Sequence, residues 1–287
     1  MTSRTTSRLD AELVRRGLAR SRARAAELVV DGRVSVAGAT ARKPSQGISS
    51  DAEVAVSAGP TEYVSRAALK LVGALDALDR LGVPVVVEGV DALDVGASTG
   101  GFTQVLLERG AHHVVALDVG HGQLAPELRG DERLTLLEGV NVRDLRPGVL
   151  PGPEPSLAVA DLSFISLTLA LPPVMEVCAR GAVLLAMVKP QFEVGRARLG
   201  ARGVVSSPSL RSEAVLSVVE AARRCGGLVR AVVPSPVPGE HGNVEYFVRV
   251  DVGHRGEALE GGASPRIVVA VRSAVVDGTA VLVEEHA

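Results

Sequence analysis

The 287-residue chain predicts an α/β fold, a doubly wound and mostly parallel seven-stranded sheet, with a small α+β domain in front of it. Three observations predict this. Seven short apolar runs alternate with segments of helical periodicity from residue 65 onward, which is the pattern of a parallel sheet covered on both faces. The first of these runs ends in a Gly-rich turn that opens a helix. The first sixty residues have a different pattern and a different charge.

Up to Ser45 there are ten basic residues and four acids, although the whole chain carries a formal charge of only −2. A local excess of this kind is a candidate phosphate-binding surface. Leu9, Leu13, Leu18, Ala25, Leu28 and Val29 fall at helical spacing and Gly17 breaks them into two short helices. Asp31-Gly32 then turns the chain into a strand at Val34 and Val36, Gly38 turns it again, and Ala52 to Val56 alternates as another strand. Gly59-Pro60-Thr61 marks a boundary, giving domains at 1–60 and 61–252 and a tail at 253–287 without an assigned role.

The second domain opens with a helix from Ser65 to about Leu81. Strands follow at Ala92 to Val95, Val114 to Val119, Leu134 to Glu138, Ser156 to Asp161, Ala182 to Lys189, Val229 to Pro234 and Glu245 to Val252. Helices lie at Gly101 to Arg109, Ser166 to Ala179 and Ser209 to Cys225. In such a sheet a ligand sits beyond the carboxyl ends of the strands, where Asp94, Asp118, Asp161 and Lys189 all fall.

The run Asp94-Val-Gly-Ala-Ser-Thr-Gly-Gly-Phe102 marks a nucleotide-type cofactor site. Gly96, Gly100 and Gly101 let the backbone turn sharply and approach a bulky ligand, and the helix behind them presents free N–H groups. Ser98 stands where a dinucleotide fingerprint has its second Gly, and Asp94 would repel a diphosphate while suiting the sulfonium and amino group of S-adenosylmethionine. Asp118 lies at the distance where an acid accepts the ribose hydroxyls. The candidate cofactor residues are therefore Asp94, Gly96, Ala97, Ser98, Thr99, Gly100, Gly101, Phe102 and Asp118. A surface turn with a capping Asp and an NAD-dependent enzyme are the competing readings.

Cys178 and Cys225 have no metal-type spacing and read as buried free thiols. No metal site is expected. The Arg-rich start lacks the apolar core of a signal peptide and the longest apolar stretches carry charges or prolines, so the expectation is a cytoplasmic protein with no membrane span.

Methyl transfer to an alcohol needs charged groups at the acceptor. Lys70, Asp161, Lys189 and Glu245 are the candidates, the last three at ends of apolar strands where a charge would not merely fill a core. In order and context the four match the Lys-Asp-Lys-Glu tetrad of the FtsJ-like 2′-O-methyltransferases. Arg8-Leu-Asp10, Gly17-Leu-Ala-Arg-Ser-Arg22, Asp31-Gly-Arg-Val34 and Lys43-Pro44 resemble the S4-like RNA-binding domain. With that domain in front of a Rossmann-like methyltransferase domain, the chain to about Asp251 resembles the TlyA family, also labelled haemolysin A. The resemblance implies methylation of cytidine 2′-hydroxyls in 16S and 23S ribosomal RNA, with S-adenosylmethionine as donor and ribosomal subunits as partners.

On this reading Lys189 serves the 2′-hydroxyl, Asp161 and Glu245 hold the two lysines, and Lys70 anchors the target nucleotide. Arg8, Arg16, Arg20, Arg22, Arg24, Lys43 and Arg66 are expected to grip RNA, with Arg196 a further phosphate candidate. Phe164 and Phe192 are expected mainly as core, with base stacking as the alternative. Asp161-Leu-Ser-Phe164 lacks the two prolines common in amine methyltransferases. A non-catalytic ribosome-assembly factor and a membrane-active toxin are the alternatives from other classes.

Overall fold

A computed structural model describes residues 6–19, 21–30, 32–49, 51–57, 63–200, 203–253 and 263–283, without the side chains of Ala23, Arg24, Glu27 and Glu240. The expected RNA contact Arg20, the side chain of Arg24 and the boundary Gly59-Pro60-Thr61 lie outside the described residues. The chain divides into two compact units, Met1–Glu62 and Tyr63–Ala287.

The first unit runs β1 (Thr6–Arg8), α1 (Leu9–Arg15), α2 (Arg22–Val30), β2 (Val34–Val36), β3 (Ala39–Thr40), β4 (Gly47–Ser49) and β5 (Val54–Val56). β1 pairs antiparallel with β4, and β2 lies between β3 and β5. The helical spacing buries Leu9, Leu13, Ala25, Leu28 and Val29 against Val34 and Ile48. Ala37 and Gly38 both have positive φ, the two-residue turn whose twist suits a hairpin. β1, β3 and β4 were not expected: none holds more than one apolar residue, so no alternation registers.

The second unit continues with α3 (Ala67–Arg80), β6 (Asp91–Val95), α4 (Gly101–Glu108), β7 (His113–Asp118), β8 (Leu134–Glu138), β9 (Leu157–Ala160), α5 (Leu167–Val177), β10 (Val183–Val188), α6 (Pro190–Glu193), α7 (Pro208–Arg224), β11 (Leu228–Pro234), β12 (Tyr246–Asp251), α8 (Pro265–Val276) and β13 (Val281–Leu282). The sheet order is β13-β11-β12-β10-β9-β6-β7-β8. The seven expected strands are all present, and the tail adds an eighth, β13, paired with β11, together with α8 packed on α7. The described part of the tail, residues 263–283, thus belongs to this unit's sheet and core, with Ile267, Val271 and Ala274 buried.

β8, β7, β6, β9 and β10 run parallel, while β12 is antiparallel to both β10 and β11. One apolar layer joins α5, α7 and α8 to one sheet face, and a second joins α3 and α4 to the other. The chain proceeds outward from β6 in one direction and from β9 in the other, so a crevice opens where these neighbours part. The antiparallel β12 matters for chemistry. Tyr246 pairs with Val188, so Glu245, just before β12, and Lys189, just after β10, share one end of the sheet.

Candidate active site

The Gly-rich turn leaves β6 at Gly96 (φ +86°), passes Ser98 (φ +48°) and enters α4 through Gly100 (φ +91°). A Cβ on Gly96 would come within 2.9 Å of the Asp161 carbonyl, and one on Gly100 within 2.3 Å of Leu128, so at both positions room and conformation require glycine. Ser98 adopts the left-handed region without being glycine. Its N–H donates to Asp118 Oδ2 at 2.8 Å and its hydroxyl lies 3.1 Å from Gln123 Oε1, local bonds that stabilise an otherwise disfavoured backbone.

Asp118, at the end of β7, accepts from the Ser98 and Gly120 amides at 2.8 and 2.7 Å. Each oxygen keeps a second lone pair for a ligand hydroxyl. Asp94 is fully buried; Thr103 Oγ1 donates to its Oδ2 at 2.6 Å while Oδ1 has no partner. Burial pushes its carboxyl up to about 7, against the opposing pull of the Thr103 bond.

Two hollows meet at this turn, sharing Gly96, Ser98, Asp161 and Ser163. The larger, about 680 Å³, runs past Asp118, Asn141 and Leu162. The smaller, about 280 Å³, is lined by Ser65, Arg66, Lys70, Asp161 and Lys189. An orphaned buried carboxylate oxygen behind the turn, an anchored acid at the β7 end and two joined hollows fit S-adenosylmethionine. Of the predicted cofactor residues, Ala97, Thr99, Gly101 and Phe102 line the smaller hollow, though Phe102 is chiefly core, stacked on Phe247.

The four charged residues form two pairs. Lys70, in the second turn of α3, sits 2.6 Å from Glu245 Oε2, and Lys189 sits 2.7 Å from Asp161 Oδ1 and donates to Ser163 Oγ at 3.0 Å. The Lys189–Asp161 contact is an ion pair by distance but misses hydrogen-bond alignment, leaving Asp161 Oδ1 without a hydrogen-bond donor. Glu245 is 2% exposed and acts on the hollow through Lys70. An ammonium has three donors, and neither lysine uses all of its own within the protein.

Gly239 makes the Lys70–Glu245 pair possible, since a Cβ there would lie 2.1 Å from Glu245 Oε1. Sequence reasoning missed Gly239, Thr103 and Ser163. The only signal was position: Ser163 follows Asp161 by two residues and Thr103 lies one helical turn past the glycines.

Phe164 corrects an expectation. It is 91% exposed, with φ +65°, and packs at 5.3 Å on the half-buried Phe192. A ring this exposed is not core, and its backbone is one a bulky side chain rarely adopts. Among the expected RNA contacts, Arg8 and Arg22 pair with the buried Asp10, while Arg16 pairs with the buried Glu12 and donates to the Ala52 carbonyl. Their guanidiniums are therefore held on the surface of the first unit by internal acids. Lys43 and Arg66 are exposed, and Arg66 lines the smaller hollow. Among the described residues no helix is long and apolar enough to cross a membrane.

The sheet, the glycine turn and the paired lysines define an S-adenosylmethionine-dependent methyltransferase preceded by an RNA-binding unit. Residues 63–251 match the FtsJ-like methyltransferase family and residues 7–54 the S4 domain. The chain belongs to the FtsJ-like methyltransferases and, among them, to the TlyA family. It is 51% identical over 243 residues, 84% of this chain and 88% of the relative, to the 16S/23S rRNA (cytidine-2′-O)-methyltransferase TlyA of Mycobacterium tuberculosis. It is 34% identical to Hemolysin A of Brachyspira hyodysenteriae, over 84% of this chain and 98% of that one. A structure described as a hemolysin from Streptococcus thermophilus superposes with a TM-score of 0.68 at 33% identity, over 96% of both chains.

Proposed function

We propose that the chain moves the methyl group of S-adenosylmethionine to the 2′-hydroxyl of cytidine in 16S and 23S ribosomal RNA, which sets its place of work in the cytoplasm with the ribosome. The observation that carries this is the pairing of two lysines with two carboxylates around one hollow that opens onto the glycine turn. When bound, the cofactor supplies a methyl group activated by its sulfonium.

Lys189 is the group at the acceptor. Asp161 and Ser163 fix its Nζ, and the remaining N–H stabilises the negative charge that builds on the ribose oxygen. The Asp161 carboxylate has lone pairs to take the proton the hydroxyl loses. Lys70, held by Glu245, anchors the nucleotide from the opposite side, and Arg66 at the rim meets its phosphate. Phe164 offers a stacking face to the acceptor base, in keeping with its exposure. Residues 1–60 grip the RNA and 61–252 carry the chemistry, with the tail completing the sheet.

Incubation with radiolabelled S-adenosylmethionine and 30S or 50S subunits, followed by nucleoside analysis, tests the proposal. Label on cytidine O2′ supports it. Label on a base, or on no RNA, contradicts it.

A further inference from the structure

The segment from Asp161 to Ser166 carries three groups of the site, and it is pinned at both ends. At its start the Asp161 N–H donates to the Val95 carbonyl at 3.0 Å. At its end lies the first turn of α5, where Ser166 Oγ accepts from the Thr168 amide at 3.1 Å as a cap. Glu193, four residues beyond Lys189, reaches across to this end. Its Oε1 accepts from the Leu167 amide at 2.8 Å and its Oε2 from the Ser166 hydroxyl at 2.5 Å. A carboxylate there also meets the positive end of the helix dipole. Burial raises its pKa, opposed by these two bonds.

The consequence is a closed ring: Lys189 to Ser163 by one hydrogen bond, along the loop to Ser166, across to Glu193, and back through α6 to Lys189. We propose that Glu193 is a positioning residue for methyl transfer, holding the Asp161–Ser166 loop so that Ser163 and Asp161 keep Lys189 aligned; this rests on Lys189 being the acceptor-side group. Phe164, inside the loop, has the left-handed backbone that persists only where its surroundings over-determine it. With Glu193 gone the loop relaxes, and a displacement of about 1 Å at a reacting group lowers a rate by about a hundredfold.

Glu193→Ala is expected to lower kcat at least about tenfold while the Kd of S-adenosylmethionine and the KM for RNA stay within about threefold. Glu193→Gln should restore kcat to within about threefold of wild type, because Gln accepts from Leu167 N–H through Oε1 and donates to Ser166 Oγ through Nε2. Hydrogen exchange in peptides covering 161–170 should accelerate at least about tenfold in the Ala variant and stay at the wild-type rate in the Gln variant. An unchanged kcat in Glu193→Ala, or equal damage by Ala and Gln, overturns the proposal. If Glu193→Ala does not fold, Ser166→Ala removes one of the two bonds and should reproduce both effects at smaller size. A wild-type protein that methylates no RNA overturns the proposed activity instead, and the exchange experiment still decides whether Glu193 clamps the loop.

Discussion

Buried carboxylates meet opposite fates in the two units of this chain. In the first unit Asp10 is hydrogen-bonded by the Arg8 guanidinium, and Glu12 by that of Arg15, and each is held down to about 2. In the second, Asp94 is fully enclosed and meets no guanidinium, only Thr103, and burial pushes it up to about 7. The two active-site acids are each matched to a single ammonium. The difference teaches what each arrangement is for. Saturating acids with guanidiniums fixes a surface of arginines, whereas one lysine per acid leaves ammonium donors free for substrate.

The largest expected effect comes from removing a free donor. Lys189→Ala should reduce transfer by about a thousandfold or more with cofactor affinity unchanged, read by single-turnover methylation beside calorimetry. Near-wild-type activity would place the acceptor elsewhere. Glu245→Gln, which keeps shape but removes the charge holding Lys70, should cost about a hundredfold in kcat/KM for RNA, and a change in cofactor Kd alone would contradict the role given to that pair. Gly239→Ala sharpens the point without touching a charge. Its methyl group would displace the Glu245 carboxylate, so a loss of about tenfold in activity is expected at an unchanged Tm.

The smallest effects are on stability, and they have opposite signs in the two units. Asp10 and Glu12 have lowered pKa values, so their contribution is complete above about pH 4.5 and is lost as pH falls toward about 2. Asp94 has a raised pKa, so the stability linked to its proton is complete below about pH 4 and is lost as pH rises through about 7. Hydrogen exchange followed separately in peptides of each unit, corrected for the intrinsic pH dependence, should show these opposing slopes. Asp94→Asn should flatten the slope of the second unit only. Parallel slopes would break the comparison.

The sequence made the sheet and the cofactor turn legible because both depend on local features. Apolar runs such as Val114 to Leu117 need no partner to be recognised, and Gly96 and Gly100 are required by their own backbone angles. The pairing of the tetrad was not legible. Lys70 and Glu245 are 175 positions apart, and their meeting depends on β12 running antiparallel to β10, a direction that the residues of β12 do not encode. Phe164 shows the other limit: an apolar residue after a strand reads as core, and only the path of the loop places it in solvent. The arginine pairing of the first unit lies between, since Glu12 with Arg15 and Arg16 stands at helical i,i+3 and i,i+4 spacing.

The most direct test of the account replaces the acceptor cytidine of a reconstituted subunit by 2′-deoxycytidine and measures methyl transfer and binding together. The account predicts that the deoxy substrate binds within about threefold of the natural one and receives no methyl group. Methylation of the deoxy substrate at an undiminished rate would contradict it, because the acceptor would then be an atom other than O2′.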